Sequence, residues 1–197
     1  MSKAEKTREF IIEKSASVFN MKGYAGTSLS DLTDITGLTK GSIYGNFENK
    51  DEIAAAVYEY NVSNLGRKLD EALLGKTTAK EKLLALTEYY RTNWKKIFER
   101  GGCPILNASI EADDNLPFLK KPVQNSIKNW ANKFSTVIEE GKKTGEFKKH
   151  TDAVAYSYTM ITLLEGGIML AKIMNHPSYL FSAIDRIQLI IATELNS

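Results

Sequence analysis

Polar side chains suited to contacting DNA are concentrated in one short segment of the chain, residues 39–46. Lysine can hydrogen-bond guanine, asparagine can hydrogen-bond adenine, and hydroxyl groups bind phosphate oxygens. The glycine at position 41 costs a helix roughly 1 kcal/mol relative to alanine, so its place in a first helical turn suggests that a phosphate approaches the backbone. The segment therefore predicts a nucleic-acid contact, with the candidate residues Thr39, Lys40, Gly41, Ser42, Tyr44 and Asn46.

Two short helices joined at Gly37 must position these side chains. The first begins at Thr27 or Ser28, because either hydroxyl can accept an otherwise unpaired backbone N–H and Asp31 suits a helix N-terminus. Gly37 tolerates the positive φ of the turn, and Thr39 can cap the second helix. Such a helix-turn-helix unit fits the major groove of DNA, so sequence-specific DNA binding is predicted.

Apolar residues at helical spacing predict which sides of these helices are buried. Leu29, Leu32 and Ile35 form a stripe on the first helix, and Ile43 and Phe47 face inward from the second. A preceding helix ends at Gly23 and covers the other two; its inner side is formed by Ile11, Ile12, Ser15, Ala16, Val18 and Phe19.

These residues resemble the N-terminal pattern of the TetR family of bacterial regulators. The resemblance covers about the first quarter of the chain and rests on many residues at fixed spacing. The matching positions are Thr7, Ala16, Phe19, Gly23-Tyr24, Thr27-Ser28, Gly37-Leu38, Thr39-Lys40-Gly41, Tyr44, Phe47 and Lys50. The chain departs from the family at Asn46, where a histidine is common, and at Gly45, an unusual exposed residue before it.

The resemblance also implies how the DNA contacts are divided. Base edges would be read by Ser42, together with Lys40 or Asn46. The phosphate backbone would be held by Thr27, Ser28, Thr39, Lys40, Gly41, Tyr44 and Lys50.

Charge alone does not mark this region as a DNA-binding surface. Residues 1–50 contain seven basic and six acidic side chains, so the segment is nearly neutral. We therefore expect a moderate salt dependence of DNA binding, because few phosphates are neutralised.

Length and composition restrict the class of protein. A chain of 197 residues with 43% apolar residues can hold one large or two small domains. We expect no membrane span, because no apolar run reaches roughly 18 residues, and no secretory signal. The single cysteine, Cys103, excludes an internal disulfide and favours a reducing cytoplasm.

The remainder of the chain also shows helical patterns, which predicts an all-α protein. Residues 1–50 would form a three-helix DNA-binding domain, and residues 51–197 a larger helical domain for effector binding and dimerisation. The predicted helices of the larger domain begin at Asn49 and continue at about Ala79–Phe98, Ile105–Ala112, Pro117–Thr144, Thr151–Met174 and Ser178–Leu195.

The last two of these helices contain few charged residues, which predicts that they pair with a second copy of the chain. Two helices from each copy would form a four-helix bundle and place two DNA-contacting helices one DNA turn apart on a palindromic operator. The alternative is a monomer that buries both helices in its own core.

Aromatic residues are frequent in the central helices, where they form either a core or a ligand site. The resemblance implies a small-molecule cavity there, and aromatic lining with few polar groups suits a lipophilic or aromatic effector. Glu165 would pair with a cationic ligand, a partner chain or water. The candidate effector contacts are Trp94, Phe98, Trp130, Phe134, Tyr158 and Glu165.

The resemblance implies a repressor that an effector releases from DNA. One alternative is a thiol-based redox sensor that uses Cys103 at a helix start. Another is a small enzyme in which Cys103 with His150 or His176 forms a nucleophile and base. The histidine and cysteine spacings match no metal site, and no phosphate-binding glycine loop is present, so neither a metal nor a cofactor is expected.

Overall fold

The computed structural model of the protein describes residues 2–196 and is built from helices. Within that range, regular structure consists of nine α-helices and one π-helical turn, with a single isolated β-bridge between Phe147 and Asn196. The all-α prediction is therefore confirmed. The helices are α1 (Lys3–Lys22), α2 (Leu29–Thr36), α3 (Lys40–Tyr44), α4 (Lys50–Leu73), α5 (Ala79–Glu99), α6 (Pro104–Asp114), α7 (Pro117–Thr144), α8 (Ala153–Ile173) and α9 (Ser178–Leu189), followed by the π-helical turn Ile190–Leu195.

The chain divides into two compact units, each made of two segments. Unit 1 contains residues up to Leu65 together with Arg100–Ser126, and unit 2 contains Gly66–Glu99 and residues from Ile127 onward. The first unit thus includes α6 as well as the three N-terminal helices. The functional boundary at residue 50 stays a prediction, since the units are defined by packing.

The core of unit 1 is formed where α1, α2, α3 and the first half of α4 meet. Aromatic rings fill much of it: the centroid of Tyr24 lies 5.5 Å from that of Phe19 and 6.1 Å from that of Tyr58. All three rings are buried. The aliphatic part of this core includes Ile11, Leu32, Ile43, Ile53 and Val57.

The core of unit 2 depends on close approach between helices. A Cβ on Gly167 of α8 would lie 2.8 Å from the Cβ of Ala183 and 3.1 Å from the Cα of Leu180, so only glycine allows α9 to pack this closely. At the end of α7, a Cβ on Gly141 would lie 2.2 Å from the buried Phe147 ring.

The predicted helices are all present, with bounds that differ by one or two residues at most ends. One difference has a clear cause: α8 begins at Ala153 because the Asp152 side chain accepts hydrogen bonds from the backbone N–H of Val154 and Ala155. The last predicted helix, Ser178–Leu195, is α-helical only to Leu189 and then becomes π-helical.

The predicted inner stripe of α2 is wrong at one position. Ile35 is 43% exposed, and the residue one position further, Thr36, is buried with Leu32. The threonine can be buried because its hydroxyl donates to the Leu32 carbonyl at 2.6 Å and accepts from the Leu38 N–H at 3.2 Å.

The expectation of no membrane span depends on one helix, α8. By length and composition α8 is apolar enough to cross a membrane, although Glu165 and Lys172 interrupt it. One such helix is weak evidence, because core helices of soluble proteins satisfy the same criterion.

Candidate functional site

The helix-turn-helix unit of α2 and α3 is fixed by its caps. Ser28 caps α2: its hydroxyl accepts the Asp31 N–H at 3.2 Å, while the Asp31 carboxylate accepts the Ser28 N–H at 2.8 Å. Gly37 follows with φ 68°, in the left-handed region that favours glycine. Thr39 then caps α3 by accepting the Ser42 N–H at 3.2 Å. The chain therefore turns from α2 into α3 within three residues.

The inner and outer sides of α3 agree with the sequence pattern. Ile43 and Phe47 are buried, with exposed fractions of 0% and 3%. Lys40, Gly41 and Tyr44 are exposed. The polar outer side of α3 is thus free of the protein core.

Gly41 has open space around it. A Cβ built there would meet only the Thr39 Oγ1 atom, at 4.0 Å, and its φ lies outside the positive region. The fold itself therefore does not require glycine at this position. A requirement imposed from outside, such as close approach of a phosphate to the first turn of α3, agrees with this geometry.

Two other candidate DNA contacts are engaged within the protein. Thr27 is fully buried, and its hydroxyl donates to the Gly23 carbonyl at 2.7 Å, which does not support its expected contact with a phosphate. The Lys50 ammonium donates to the Ala25 carbonyl at 2.9 Å. Ser28 remains exposed at the N-terminus of α2.

Asn46 and Ser42 are half-buried rather than fully outside. The Asn46 amide nitrogen donates to the Ser42 carbonyl at 2.8 Å, at the C-terminal end of α3. Asn46 would have to give up this bond before its amide nitrogen could donate to a base.

Arg8 holds this end of α3 in place, a role that the sequence reading missed. Its Nη1 donates to the Asn46 backbone carbonyl at 2.7 Å, and its Nη2 lies 2.7 Å from the Glu52 carboxylate. The guanidinium carbon also sits 4.1 Å from the centroid of the Phe47 ring. One side chain of α1 thus contacts the end of α3 and the first turn of α4.

The carboxylates around the unit are held in the charged form. The Lys22 ammonium pairs with Asp31, and this contact, with the hydrogen bonds from Ser28, lowers the pKa of Asp31. The Glu48 N–H and then Arg8 lower the pKa of Glu52. Among the described residues Lys40 has no intramolecular hydrogen bond or ion pair, so its charge is available to a ligand.

A second network joins α6 to the end of α1, and sequence reading gave no signal for it. The Glu111 carboxylate accepts the N–H groups of Tyr24 and Ala25 at 2.8 and 2.7 Å. The Asn107 amide donates to the carbonyl of Asn20 at 3.0 Å, and the Asn20 amide donates to the carbonyl of Gly102 at 3.2 Å. The turn before α2 is therefore attached to α6 and to the loop that precedes it.

The candidate effector residues lie in two groups. In unit 2, the rings of Tyr90 and Trp130 have centroids 6.2 Å apart, and Trp94 lies 5.5 Å from Phe98. Trp130 and Phe134, neighbours on α7, are buried, with exposed fractions of 5% and 0%.

Tyr158 and Glu165 both lie on α8 but differ in exposure. Tyr158 is 42% exposed, on the same side of α8 as the exposed Val154 and Ile173, whereas the Glu165 carboxylate oxygens are buried. An effector contact by Glu165 stays a prediction. The structure does not bring Tyr158 into the buried aromatic group, so an effector contact by this residue stays a prediction.

The thiol and the two histidines differ in exposure. Cys103 is buried beside Pro104 at the start of α6, whereas His150 and His176 are exposed. Between residues 2 and 196, no three histidine, cysteine, aspartate or glutamate side chains are grouped as metal ligands. Burial of Cys103 gives no support to the redox-sensor alternative.

Comparison with known families identifies both parts of the chain. Residues 11–57 match the model described as bacterial regulatory proteins, tetR family. Residues 79–187 match the model described as a tetracyclin repressor-like C-terminal domain. Together the two matches include the helix-turn-helix unit and most of the remaining helices.

Individual relatives agree with these matches. A TetR-family regulator from Cytophaga hutchinsonii has a crystal structure that superposes with a TM-score of 0.94 at 40% identity, covering 100% of this chain and 98% of its own. A TetR regulator from Chloroflexus aurantiacus gives 0.92 at 33% identity, covering 100% and 99%. The transcriptional repressor DhaR from Mycobacterium sp. is 25% identical, over 84% of this chain and 82% of its own.

Proposed function

The chain belongs to the TetR family of bacterial transcriptional regulators, and we propose that it is a cytoplasmic repressor that binds a palindromic operator as a homodimer. We further propose that a small lipophilic or aromatic effector releases it from DNA. Members of the family bind DNA and dimerise, and they are regulators rather than enzymes. DhaR, one of the relatives, is a transcriptional repressor.

The main support for DNA binding is the set of exposed groups on the outer side of α3. It presents Lys40 without an intramolecular partner, Tyr44, and Gly41 with open space for a phosphate. In the proposed complex Ser28, Thr39, Lys40, Gly41 and Tyr44 hold phosphates, while Ser42 and Lys40 contact base edges. Asn46 contributes to base contacts only if its amide leaves the Ser42 carbonyl, and Lys50 contacts phosphate only if it leaves the Ala25 carbonyl.

Dimerisation is proposed through α8 and α9. These helices expose large apolar side chains that a monomer leaves in water, which is unfavourable by about 25 cal/mol for each Å². Val154 and Ile173 on α8 are 58% and 78% exposed, and Leu189 on α9 is 49% exposed. A second copy related by a twofold axis would cover the same residues on both chains.

The proposed effector contacts are the aromatic residues of unit 2 named above, Trp94, Phe98, Trp130 and Phe134. Binding there would favour one position of α5, whose last residue, Glu99, is followed directly by Arg100. The Arg100 carbonyl accepts from Asn20 of α1, so a displacement of this loop would reach the helix-turn-helix unit through the network of Asn20, Asn107 and Glu111. An effector needs a differential affinity of only a few kcal/mol to change the population of the DNA-binding state.

Footprinting on the DNA upstream of the protein's own gene tests the proposal. We expect protection of a site with twofold symmetry, together with loss of protection when Lys40 is replaced by alanine in a folded variant. An unprotected fragment with folded wild-type protein, or protection without symmetry, would contradict the proposal of a dimeric operator-binding repressor at that site.

A further inference from the structure

Two buried hydroxyl groups in unit 2 are satisfied by their own helices. Thr87 of α5 donates to the Leu84 carbonyl at 2.9 Å, and Ser157 of α8 donates to the Val154 carbonyl at 2.8 Å. Both side chains are fully buried. These two side chains therefore follow the general rule that buried polar groups are hydrogen-bonded.

The indole N–H of Trp130 is an exception to that rule. Trp130 lies on α7 with an exposed fraction of 5%, and its Nε1 atom is buried. Within residues 2–196 no atom accepts a hydrogen bond from this N–H. An indole N–H can only donate, so it can be satisfied only by a group that supplies an acceptor.

The residues around Trp130 determine what kind of molecule can bring a hydrogen-bond acceptor to its indole N–H. The buried Tyr90 ring of α5 lies with its centroid 6.2 Å from that of Trp130, at an interplanar angle of 35°. Phe134, one helical turn further along α7, is completely buried. A molecule that binds among these rings must be mostly apolar, and a charged acceptor would be costly to bury.

We infer that the effector of this regulator carries a neutral hydrogen-bond acceptor, such as a carbonyl oxygen, on an aromatic or lipophilic body, and that Trp130 Nε1–H donates to it. The inference rests on the proposed effector function and assigns the polar contact of that site. The rings of Tyr90, Trp130 and Phe134 provide the apolar contact, and the indole N–H selects among apolar molecules of similar size.

Two simple probes test this assignment: acetophenone, which has a carbonyl acceptor, and isopropylbenzene, which has nearly the same shape without one. The protein is labelled with ¹⁵N at its tryptophan indoles, and the two indole signals are assigned with the variants Trp94→Phe and Trp130→Phe. We expect acetophenone to move the Trp130 N–H signal downfield, and isopropylbenzene to leave this signal at the position of an N–H without a hydrogen bond.

Affinity measurements provide the second readout. Wild-type protein should bind acetophenone about fivefold more tightly than isopropylbenzene, a difference of about 1 kcal/mol. Trp130→Phe keeps an aromatic ring but has no N–H, so this variant should lose the preference. The control Tyr60→Phe, on α4 in unit 1, should keep it. If Trp130→Phe does not fold, the indole signal of the wild-type protein decides the question.

Three results would overturn the inference. They are equal affinity for the two probes, a preference that survives in folded Trp130→Phe, and a Trp130 signal already at a hydrogen-bonded position in the free protein. Failure of both probes to bind would contradict the site itself. Release of operator DNA is measured separately. If acetophenone shifts the Trp130 indole signal but the protein stays bound to DNA, the proposed effector response is contradicted. The indole contact would still stand.

Discussion

At the scale of single residues, Gly41 provides the sharpest separation of function from fold. The space around it accepts a methyl group, and alanine is the better helix former by up to about 1 kcal/mol. We predict that Gly41→Ala leaves the free energy of unfolding unchanged or raised, and weakens operator binding about tenfold because the methyl group meets a phosphate. Urea unfolding and fluorescence anisotropy with labelled DNA measure the two effects.

Gly66 is the matched control for this substitution. It is also a helical glycine, on α4, with nothing within 4 Å of an added Cβ. Gly66→Ala should raise stability by a similar amount without changing DNA affinity. A Gly41→Ala protein that binds operator as well as the wild type would remove the proposed phosphate contact.

Arg8 gives a second prediction at this scale, because its contacts require the shape of arginine. Lysine keeps the charge but cannot reach the Asn46 carbonyl and Glu52 together while stacking on Phe47. We expect Arg8→Lys to lower the free energy of unfolding by about 1 kcal/mol and DNA affinity about tenfold. Arg67→Lys, in an exposed ion pair with Glu71 on α4, is the control that should leave both unchanged.

An Arg8→Lys protein with normal operator affinity would show that the position of α3 does not depend on this side chain. If Arg8→Lys binds operator more weakly while its helix content equals that of the wild type, a positioning role for Arg8 is supported. Circular dichroism distinguishes this case from general unfolding.

The sequence predicted which side chains of α3 are buried or exposed better than it predicted their hydrogen bonds. Lys40 and Tyr44 are exposed and Ile43 and Phe47 are buried as expected, because helical periodicity determines the side on which each lies. Burial of Thr27 and the bond from Asn46 to Ser42 could not be anticipated, because both depend on backbone carbonyls brought close only by folding.

At the scale of elements, the caps of the helix-turn-helix unit predict a sensitivity to acid. Asp31 and Glu52 have lowered pKa values in the folded protein, so the folded state binds fewer protons than the unfolded one. Their stabilising contributions are present above the ordinary carboxyl pKa of about 4 and are lost as pH falls below it. We expect the melting temperature to fall between pH 5 and pH 3, as measured by circular dichroism.

Asp31→Asn provides the comparison. This variant lacks the ion pair with Lys22 and should be less stable at neutral pH, with a shallower loss in acid. The same acid slope in wild type and Asp31→Asn would mean that other groups cause the loss.

The contact between α6 and the turn after α1 leads to a further prediction. A carboxylate at position 111 accepts two backbone N–H groups, whereas glutamine has a single acceptor oxygen. Glu111→Gln should therefore speed hydrogen exchange at Tyr24 or Ala25 about tenfold and lower operator affinity severalfold. Glu99→Gln, an exposed carboxylate at the end of α5, should alter neither quantity. Unchanged exchange at both amides in Glu111→Gln would remove α6 from the proposed signal path.

Element bounds were largely predictable because caps and glycines are local signals. Asp152 and Gly37 end or begin helices for reasons readable in the chain. The π-helical turn after Leu189 and the attachment of α6 to α1 were not predictable. Those features depend on residues far apart in sequence, such as Asn20 and Asn107.

At the scale of the whole molecule, the proposed dimer predicts a difference between two equally exposed residues. Ile173 on α8 is 78% exposed, and Leu74, after α4, is 76% exposed. Ile173→Glu should place a charge in the interface and weaken dimerisation more than a hundredfold, because an unpaired buried charge costs several kcal/mol. Leu74→Glu should remain a dimer. Sedimentation at micromolar concentration checks both masses, and a wild-type mass of one chain would support the monomer alternative.

The sequence indicated a dimer interface on α8 and α9 because the last two helices contain few charged residues. The structure adds which of their side chains are exposed. The sequence could not decide whether Tyr158 lies in the core, in a ligand site or in an interface, because an aromatic residue on an apolar helix suits all three equally. Only the position of Tyr158 on the exposed side of α8 favours the interface.

Selection of binding sites from a random pool of duplex DNA tests the central claim most directly. We predict that folded wild-type protein enriches a palindrome whose half-sites are separated by about one helical turn, and that Gly41→Ala enriches it weakly. Before the selection, the wild-type protein is refolded to remove bound small molecules. If this protein is folded and dimeric but enriches no sequence, the proposed operator binding is contradicted.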